Sequence, residues 1–373
     1  MTERTAPSAG PADDAVKQRA ALLRSMTLTR MLDYGMDHWD ATQLVGAPAT
    51  QAWDEVAAGL AEAQLARATT AVEHGNIETA VSCYRRAAAA LVAAQMAYNF
   101  DNAAKRWLYA RMSQAYQDAA RLDTDMHIER LEVPYKSSHC NAWFLRPRTD
   151  RPAPPVIIVG GQSGWGPAYH RQARALVRRG LSAVLLEAPG QGETRIVNGL
   201  HLDEHADEAF SATLDAVRER TGFAGPSGVW GNSFGGLIAA RAALHDSRFA
   251  ACCVNGAPAR PEPAPFRTAG EQSQALLGVS SDDEVAAVFR TLWIDPATDR
   301  TSAAVLVLHG GADPLIALDQ QRAFLDLSAD SSLRVWEDGE HTIYNHSAER
   351  TDFVGDWFRH RLSDGLLTTK PTS

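Results

Sequence analysis

Residues 228–245 read GVWGNSFGGLIAARAALH, and the fold turns on this stretch. Three residues of strand character, GVW (228–230), run into Gly231-Asn232-Ser233-Phe234-Gly235, and an apolar helical run follows to residue 245. The pentapeptide fits G-x-S-x-G, the pattern of a sharp strand-to-helix turn that lifts a serine hydroxyl clear of a sheet. So tight a turn brings its flanking residues into contact, so they must lack a Cβ, and Gly236 adds room for close packing. Ser233 then sits at a helix N-terminus, where backbone N–H groups and the helix dipole favour developing negative charge. A chance glycine turn would match the pattern, but it would not need a strand before it and an apolar helix after it.

The same alternation extends in both directions. Upstream, VIIV (156–159) reads as a short buried strand, 169–179 as a helix, 182–190 as a strand ending in a turn, and 203–220 as a helix. Downstream, ACCV (251–254), VLVL (305–308) and LRVW (333–336) read as strands, with helices over 320–327 and 348–362. Continuous apolar strands alternating with amphipathic helices predict an α/β protein, a mostly parallel sheet covered by helices on both faces. Right-handed crossovers put the loops after the strands on one edge, where a site belongs. Before this core, 126–135 and NAWFLRPR (141–148) predict two more strands with a turn near Ser137 and Ser138, and a proline-rich connector at 149–155. The segment 257–295 breaks the alternation, because PARPEPAP (258–265) cannot be the interior of a sheet or helix. It is read as a lid-like insertion after the sixth strand.

The texture before residue 125 is different. The chain divides into a disordered tail at 1–13, a helical N-terminal domain at 14–124 and the α/β domain at 125–373. One helical segment starts near Thr50 and carries Leu60, Ala63, Gln64, Arg67 and Val72. A second covers 76–98. A third covers 101–122, with a stripe of Trp107, Leu108, Ala110, Met112 and Tyr116. Asn76 and Asp101 are the expected N-caps. The last two segments look like a helical-repeat hairpin, but one pair does not make a solenoid.

A nucleophilic serine needs a base, and the base needs an orienting acid. In this setting they follow in the order serine, acid, histidine. Asp313 lies in the loop after VLVL; an Asp before Pro314 also suits a plain turn, but its place at a strand end favours the acid. His341 lies in the loop after LRVW and is the expected general base. His346 is the competing base, and His309 reads as structural. The oxyanion donors are expected to be the N–H of Phe234 and an N–H from the loop at 160–166, with Gln162 first and Gly161 next. That glycine-rich loop matches neither a phosphate-binding nor a dinucleotide-binding pattern. Trp165, Tyr169, Glu187, Tyr34 and His38 are pocket candidates, with Trp39 and Trp230 behind them; each has a core or turn role as its plainer reading.

Bulk composition narrows the partners. A net charge of −9 and the lack of a basic-aromatic cluster argue against nucleic acid or an anionic membrane. Cys83, Cys140, Cys252 and Cys253 have no metal-type spacing and read as free thiols in a reducing compartment. Without a secretory signal or a spanning stretch, the expectation is a cytoplasmic protein with no cofactor and no metal, acting on a small-molecule carbonyl substrate.

The motifs WFLRPR (143–148), GGQSG (160–164), LLEAPGQGET (185–194), GNSFGG (231–236), HGGADPL (309–315) and GEHTIYNH (339–346) together resemble the FrsA-like α/β-hydrolases. Within them the chain is similar to the 2,6-dihydroxypseudooxynicotine hydrolase group and the fungal pigment chain-shortening hydrolases, from about residue 20 to the end. The resemblance implies an α/β-hydrolase fold whose N-terminal all-helical domain caps the site, and a homodimer. It also implies a serine hydrolase cleaving an ester, or a C–C bond beside a carbonyl in a 1,3-diketone-like substrate. Matched motif by motif, it assigns nucleophile, acid and base to Ser233, Asp313 and His341. The proline-rich 257–295 segment departs from the group's pattern. Two other readings use the same residues: an acyltransferase or cyclase that diverts the acyl-enzyme, and a non-catalytic binding protein on this fold.

Overall fold

The computed structural model describes residues 11–264 and 267–363. Six helices come first: α1 (Pro11–Ser25), α2 (Leu28–Asp33), α3 (His38–Gly46), α4 (Trp53–Glu73), α5 (Ile77–Gln95) and α6 (Ala103–Leu122). Helix α1 begins at Pro11, so 11–13 are helical rather than part of a disordered tail; residues 1–10 lie outside the described residues. Proline suits a first helical turn, where its missing N–H has no partner to lose.

Helix α5 contains Ala87–Ala90 and Ala93–Ala94, and an unbroken run from Ala87 to Gln95 is buried. A helix apolar all round must be enclosed, and alanines let its neighbours approach closely. It packs between α4 and α6. The buried stripes of those flanking helices match expectation in part: Leu108, Met112 and Tyr116 of α6 are inside, Trp107 and Ala110 are not. On α4 the inward residues are Ala57, Ala61, Gln64, Ala68 and Ala71, whereas Val72 is exposed. On α6 they are Lys105, Leu108, Tyr109, Met112, Ala115, Tyr116 and Ala119, whereas Trp107 is 54% exposed. On α4 the inner face is mostly alanine, whereas α6 buries Leu108, Tyr109, Met112 and Tyr116, and the Trp107 ring lies outside under Arg111. The α6 N-cap is Asn102, not Asp101: its side chain accepts the Lys105 N–H, while Asp101 pairs with Arg195. Asn76 occupies the α5 cap position without a side-chain cap bond.

The sheet has eight strands in the order β1-β2-β4-β3-β5-β6-β7-β8. These are β1 (Met126–Tyr135), β2 (Ser138–Pro147), β3 (Pro155–Val159), β4 (Ser182–Glu187), β5 (Ser227–Asn232), β6 (Phe249–Asn255), β7 (Ala304–Gly310) and β8 (Ser331–Trp336). The β1–β2 hairpin turns at residues 136–137, one earlier than expected, and β2 pairs antiparallel with β4; the remaining pairs are parallel. The helices between and after the strands are α7 (His170–Arg178), α8 (Gly192–Ile196), α9 (Glu208–Thr221), α10 (Phe234–His245), α11 (Arg267–Leu277), α12 (Asp282–Thr291), α13 (Arg322–Leu325) and α14 (Ser347–Ser363). The stretch expected as one helix over 320–327 is a 3₁₀ turn, Leu318–Gln321, followed by the single turn of α13. Helices α11 and α12 occupy the 257–295 insertion, and its first residues through 264 form neither helix nor strand.

Alternate residues of each strand feed two cores. Val156, Ile158, Leu185, Trp230 and Cys253 join one buried cluster with Leu176 of α7 and Phe358 of α14. Ile157, Val159, Leu186, Val229 and Cys252 join the other with Leu214, Leu237 and Phe289. The first cluster runs on without a break into Met31, Leu44, Ala89 and Met112 of the N-terminal helices. Those helices therefore share a core with one face of the sheet. The four cysteines are buried free thiols, and among the described residues no helix is long and apolar enough to cross a membrane.

Strand β3 is flanked by β4 on one side and β5 on the other, so the chain direction across the sheet reverses there. Open α/β sheets bind ligands at the carboxyl ends of strands on either side of such a reversal. Val159 pairs with Gly231, which sets the loop after β3 beside the turn after β5.

Candidate active site

Ser233 follows β5 and precedes α10 with φ 54 and ψ −135, a conformation that L residues rarely adopt. Its N–H donates to the Asn255 carbonyl at 2.7 Å and its own carbonyl accepts from Gly236 N–H at 2.7 Å, which pins the turn. The glycines are sterically required. A Cβ on Gly231 would meet the Gly235 carbonyl oxygen at 2.2 Å, and one on Gly235 would meet the Gly160 carbonyl oxygen at 2.2 Å.

His341 Nε2 lies 2.8 Å from Ser233 Oγ, and its Nδ1 lies 2.8 Å from Asp313 Oδ2. Asp313 follows β7 and its side chain is 0% exposed. Its other oxygen, Oδ1, accepts the N–H groups of Leu315 at 2.8 Å and Ile316 at 3.1 Å. The carboxylate is thus oriented from one side and presents its second oxygen to the imidazole. His346 bonds Asp338 at 2.9 Å at the surface and stays out of this line; His309 bonds Gln321 at 2.7 Å in the interior.

The turn that carries His341 is strained. Thr342 has φ 52 and Ile343 has φ 61, both left-handed, the second β-branched. Two donors hold the Thr342 carbonyl: Asn255 Nδ2 at 3.1 Å and Arg350 Nη1 at 2.8 Å. Arg350 is buried, and its Nη2 donates to both oxygens of Asp33 in α2 at 3.0 Å. Thr29 of the same helix donates to Glu340, the residue before His341. The N-terminal helices therefore brace the histidine turn through a buried ion pair.

The loop after β3 touches the serine. A Cβ on Gly161 would meet Ser233 Cβ at 3.0 Å and Oγ at 3.3 Å. The Gln191 amide donates to the carbonyls of Gly160 at 2.8 Å and Gly161 at 2.7 Å, which fixes the loop's path. The Gln162 side chain turns away to Ser273 of α11 at 3.0 Å. Phe234 begins α10, and its ring lies 5.4 Å from that of Phe289 in α12.

The pocket candidates separate. Tyr34 and Tyr169 are buried, with hydroxyls 3.4 Å apart; Tyr344 lies 3.4 Å from Tyr34, and Arg30 donates to Tyr34 at 3.1 Å. This tyrosine cluster joins α2, the loop before α7 and the histidine turn. Trp165 lines a narrow recess beside Gln162 with Tyr98, Lys105, Arg195 and Gln272. His38 and Trp39 face outward at the start of α3, against the expectation that they reach the site; Asp37 caps that helix end and fixes them there. Trp230 is core, against Phe358.

Glu187 is buried and lines neither the recess nor the serine. Its carboxylate accepts from Gly166 N–H at 3.0 Å, Glu193 N–H at 2.7 Å and the Tyr109 hydroxyl at 2.5 Å. Burial pushes its pKa up to about 7 despite these donors. It ties α6 to the two loops that shape the recess. Lys105, 2% exposed, donates to the carbonyls of Tyr98 at 3.0 Å and Asn99 at 3.2 Å. Burial first, then the Arg195 charge, bring its pKa down to about 7. Sequence reading missed Lys105, yet its spacing to Leu108, Met112, Tyr116 and Ala119 put it on the buried stripe. No sequence signal links Asp33 to Arg350 or Tyr34 to Tyr344.

A family model described as the α/β hydrolase fold matches residues 154–280. The 2,6-dihydropseudooxynicotine hydrolase of Paenarthrobacter nicotinovorans is 29% identical over 147 residues, and the match spans only 38% of each chain. The crystal structure of the 2,6-dihydroxy-pseudo-oxynicotine hydrolase superposes with a TM-score of 0.80 at 22% identity, covering 90% of this chain and 96% of that one. The wild-type structure of a protein named AbyA5 gives 0.65 at 20% identity, with 90% of each chain covered. The expected fold is borne out: this chain has the α/β-hydrolase fold, with a helical N-terminal region as in those structures.

Proposed function

We propose, from the α/β-hydrolase fold and the alignment of three side chains within it, that this chain is a serine-dependent hydrolase. The observation that carries the reading is the line Asp313–His341–Ser233, with 2.8 Å at each contact. His341 Nε2 takes the hydroxyl proton as Ser233 Oγ bonds to a substrate carbonyl carbon. Asp313 holds Nδ1–H, so the base faces the serine. The resulting oxyanion accepts from the N–H groups of Phe234 and Gln162. Gly161 supports this arrangement by its lack of a Cβ. Collapse of the tetrahedral adduct breaks the bond to the leaving group, which takes the proton from His341. Water, deprotonated by the same histidine, then attacks the acyl-enzyme and restores Ser233.

The substrate is an ester or a 1,3-diketone-like compound cleaved beside a carbonyl. For the diketone, the leaving group is an enolate that is protonated at carbon. Lys105 and Arg195 beside the loop at 162–165 suit a substrate that carries or develops negative charge. The helical layer at 14–124 acts as the cap, with a small molecule as the ligand and a homodimer, in the cytoplasm, as the assembly. Labelling with a fluorophosphonate probe and peptide mapping tests the reading. Label on Ser233 that is lost in His341→Ala, with turnover of a p-nitrophenyl ester or an aryl 1,3-diketone, supports it. A folded protein that neither labels at Ser233 nor turns over either substrate sinks it. Product analysis in the presence of an added alcohol or amine separates hydrolysis from acyl transfer.

A further inference from the structure

A second cleft, of about 210 Å³, opens between α5, α6 and α7. It is lined by Arg85 and Arg86 of α5, Tyr116 of α6, and His170, Arg171 and Arg174 of α7. Four guanidinium groups around one cleft stand out in a chain of net charge −9. Three carboxylates offset them in part. Asp123 pairs with Arg85, Asp125 meets Arg174 at 3.0 Å, and Asp37 approaches Arg86 at only 3.9 Å. Arg171 donates instead to the Leu32 carbonyl at 2.6 Å. Four positive charges against three negative ones leave an excess cation in the cleft.

Arg85 Nε, Arg174 Nε and His170 Nε2 are buried atoms without a partner, and all three belong to residues lining this cleft. These atoms are closed off from solvent, so the cleft meets a ligand through the accessible guanidinium groups of Arg86, Arg171 and Arg174. Guanidinium groups are donors only. A cleft with donors and excess positive charge suits an anion that accepts several hydrogen bonds at once, and guanidinium forks suit phosphate geometry.

We propose that this cleft is a binding site for a phosphate group, clasped between the helical layer and α7 and separate from Ser233. The phosphate oxygens accept from the guanidinium groups of Arg86, Arg171 and Arg174, with Arg85 supplying further charge. Tyr34 also lines the cleft and touches Tyr169, whose ring and hydroxyl pack against Gly160 of the loop beside Ser233. Occupancy therefore bears on how firmly the helical layer is seated beside the loop that faces the serine.

Isothermal titration of the full chain at constant ionic strength tests this, with inorganic phosphate and phenyl phosphate as probes and chloride as the control. The expected result is saturable one-site binding of at least one phosphate probe and none of chloride. Arg174→Gln and Arg86→Gln should each weaken it at least about tenfold. Both residues are partly exposed, so these variants keep the fold, and circular dichroism checks that. Tighter binding of phenyl phosphate identifies a phosphomonoester as the ligand, and tighter binding of inorganic phosphate identifies the free ion. No saturable heat with either probe at 10 mM, or equal affinity in wild type and both folded variants, overturns the proposal and leaves a water-filled cleft.

Discussion

Replacing Asp313 by Asn tests the proposed chemistry with little change in shape. Oδ1 of Asp313 is the acceptor for two backbone N–H groups, those of Leu315 and Ile316. In Asp313→Asn, the amide oxygen must keep that place, because the amide nitrogen there would set donor against donor. The –NH2 group is then driven to the Oδ2 position, 2.8 Å from His341 Nδ1. The imidazole can accept that proton only in the tautomer that carries its own proton on Nε2. That proton points at Ser233 Oγ, 2.8 Å away, and the base is lost. The same logic in other serine hydrolases costs about 10⁴ in kcat, which is ~5.5 kcal/mol of transition-state stabilisation. The assay is steady-state turnover of a p-nitrophenyl ester, with the rate of fluorophosphonate labelling measured in parallel. Both rates should fall together, and the circular dichroism spectrum should not change. A folded Asp313→Asn protein within tenfold of wild type in both rates would show that Asp313 does not set the tautomer.

Other perturbations reach the parts that hold this line in place. Asp33→Ala leaves buried Arg350 without its carboxylate, at a cost of about 3–5 kcal/mol; urea denaturation reads the loss, and a shift below 1 kcal/mol refutes the bracing role. Gly161→Ala sets a Cβ 3.0 Å from Ser233 Cβ; the neighbouring oxyanion donor moves and kcat should drop about 10²–10³-fold while the denaturation midpoint hardly changes. Two buried groups give stability slopes of opposite sign. Glu187, raised from 4.5 to about 7, makes the folded chain hold a proton that the unfolded chain has released, so stability falls as pH rises from about 4.5 to 7, by at most ~3 kcal/mol. Lys105, lowered from 10.5 to about 7, makes the unfolded chain hold the extra proton, so stability rises between about 7 and 10.5. Difference profiles of urea midpoint against pH, for Glu187→Gln and Lys105→Met against wild type, should lose the first and second slope respectively; a flat difference profile for either removes that assignment.

The readable parts of the site were those in which one short stretch carries the whole constraint. Gly231 and Gly235 could be inferred because a strand-to-helix turn leaves no space for a Cβ, and the structure has backbone oxygens at 2.2 Å from both positions. Apolar strands such as VIIV could be inferred because both of their faces are buried. The order serine, acid, histidine followed from the loops after β5, β7 and β8. The unreadable parts depend on residues far apart in the chain. Nothing in HTIYNH warns that Ile343 takes φ 61, since a β-branched residue avoids that region unless its surroundings hold it there. Its hold comes from Asn255 and from Arg350, and Arg350 is held in turn by Asp33, 317 residues earlier. Lys105 lay between the two cases. The 3.6-residue period was visible and placed Leu108, Met112 and Tyr116 inside, but Trp107 and Ala110 lie outside and Lys105 takes a buried place on that stripe, its long apolar stem lying inside while its ammonium reaches backbone carbonyls.

These long-range contacts change how the helical layer should be understood. An appended cover would touch the sheet through a surface of its own and could be removed without disturbing the chemistry. Here Met31, Leu44 and Ala89 belong to the same buried cluster as Ile158 and Phe358. Asp33 neutralises the arginine that holds the histidine turn, and Thr29 bonds the residue next to that histidine. Tyr109 of α6 holds the carboxylate that in turn holds the loops at 166 and 193. Removing the layer would expose apolar surface and leave Arg350 as an unpaired charge beside a strained turn. Loss of the layer should then release His341 from its 2.8 Å contact with Ser233 before it widens access to the serine. On this argument the α/β portion without its N-terminal helices loses activity because its base is no longer held, and the helical layer is as much a part of the scaffold of the reaction as the sheet.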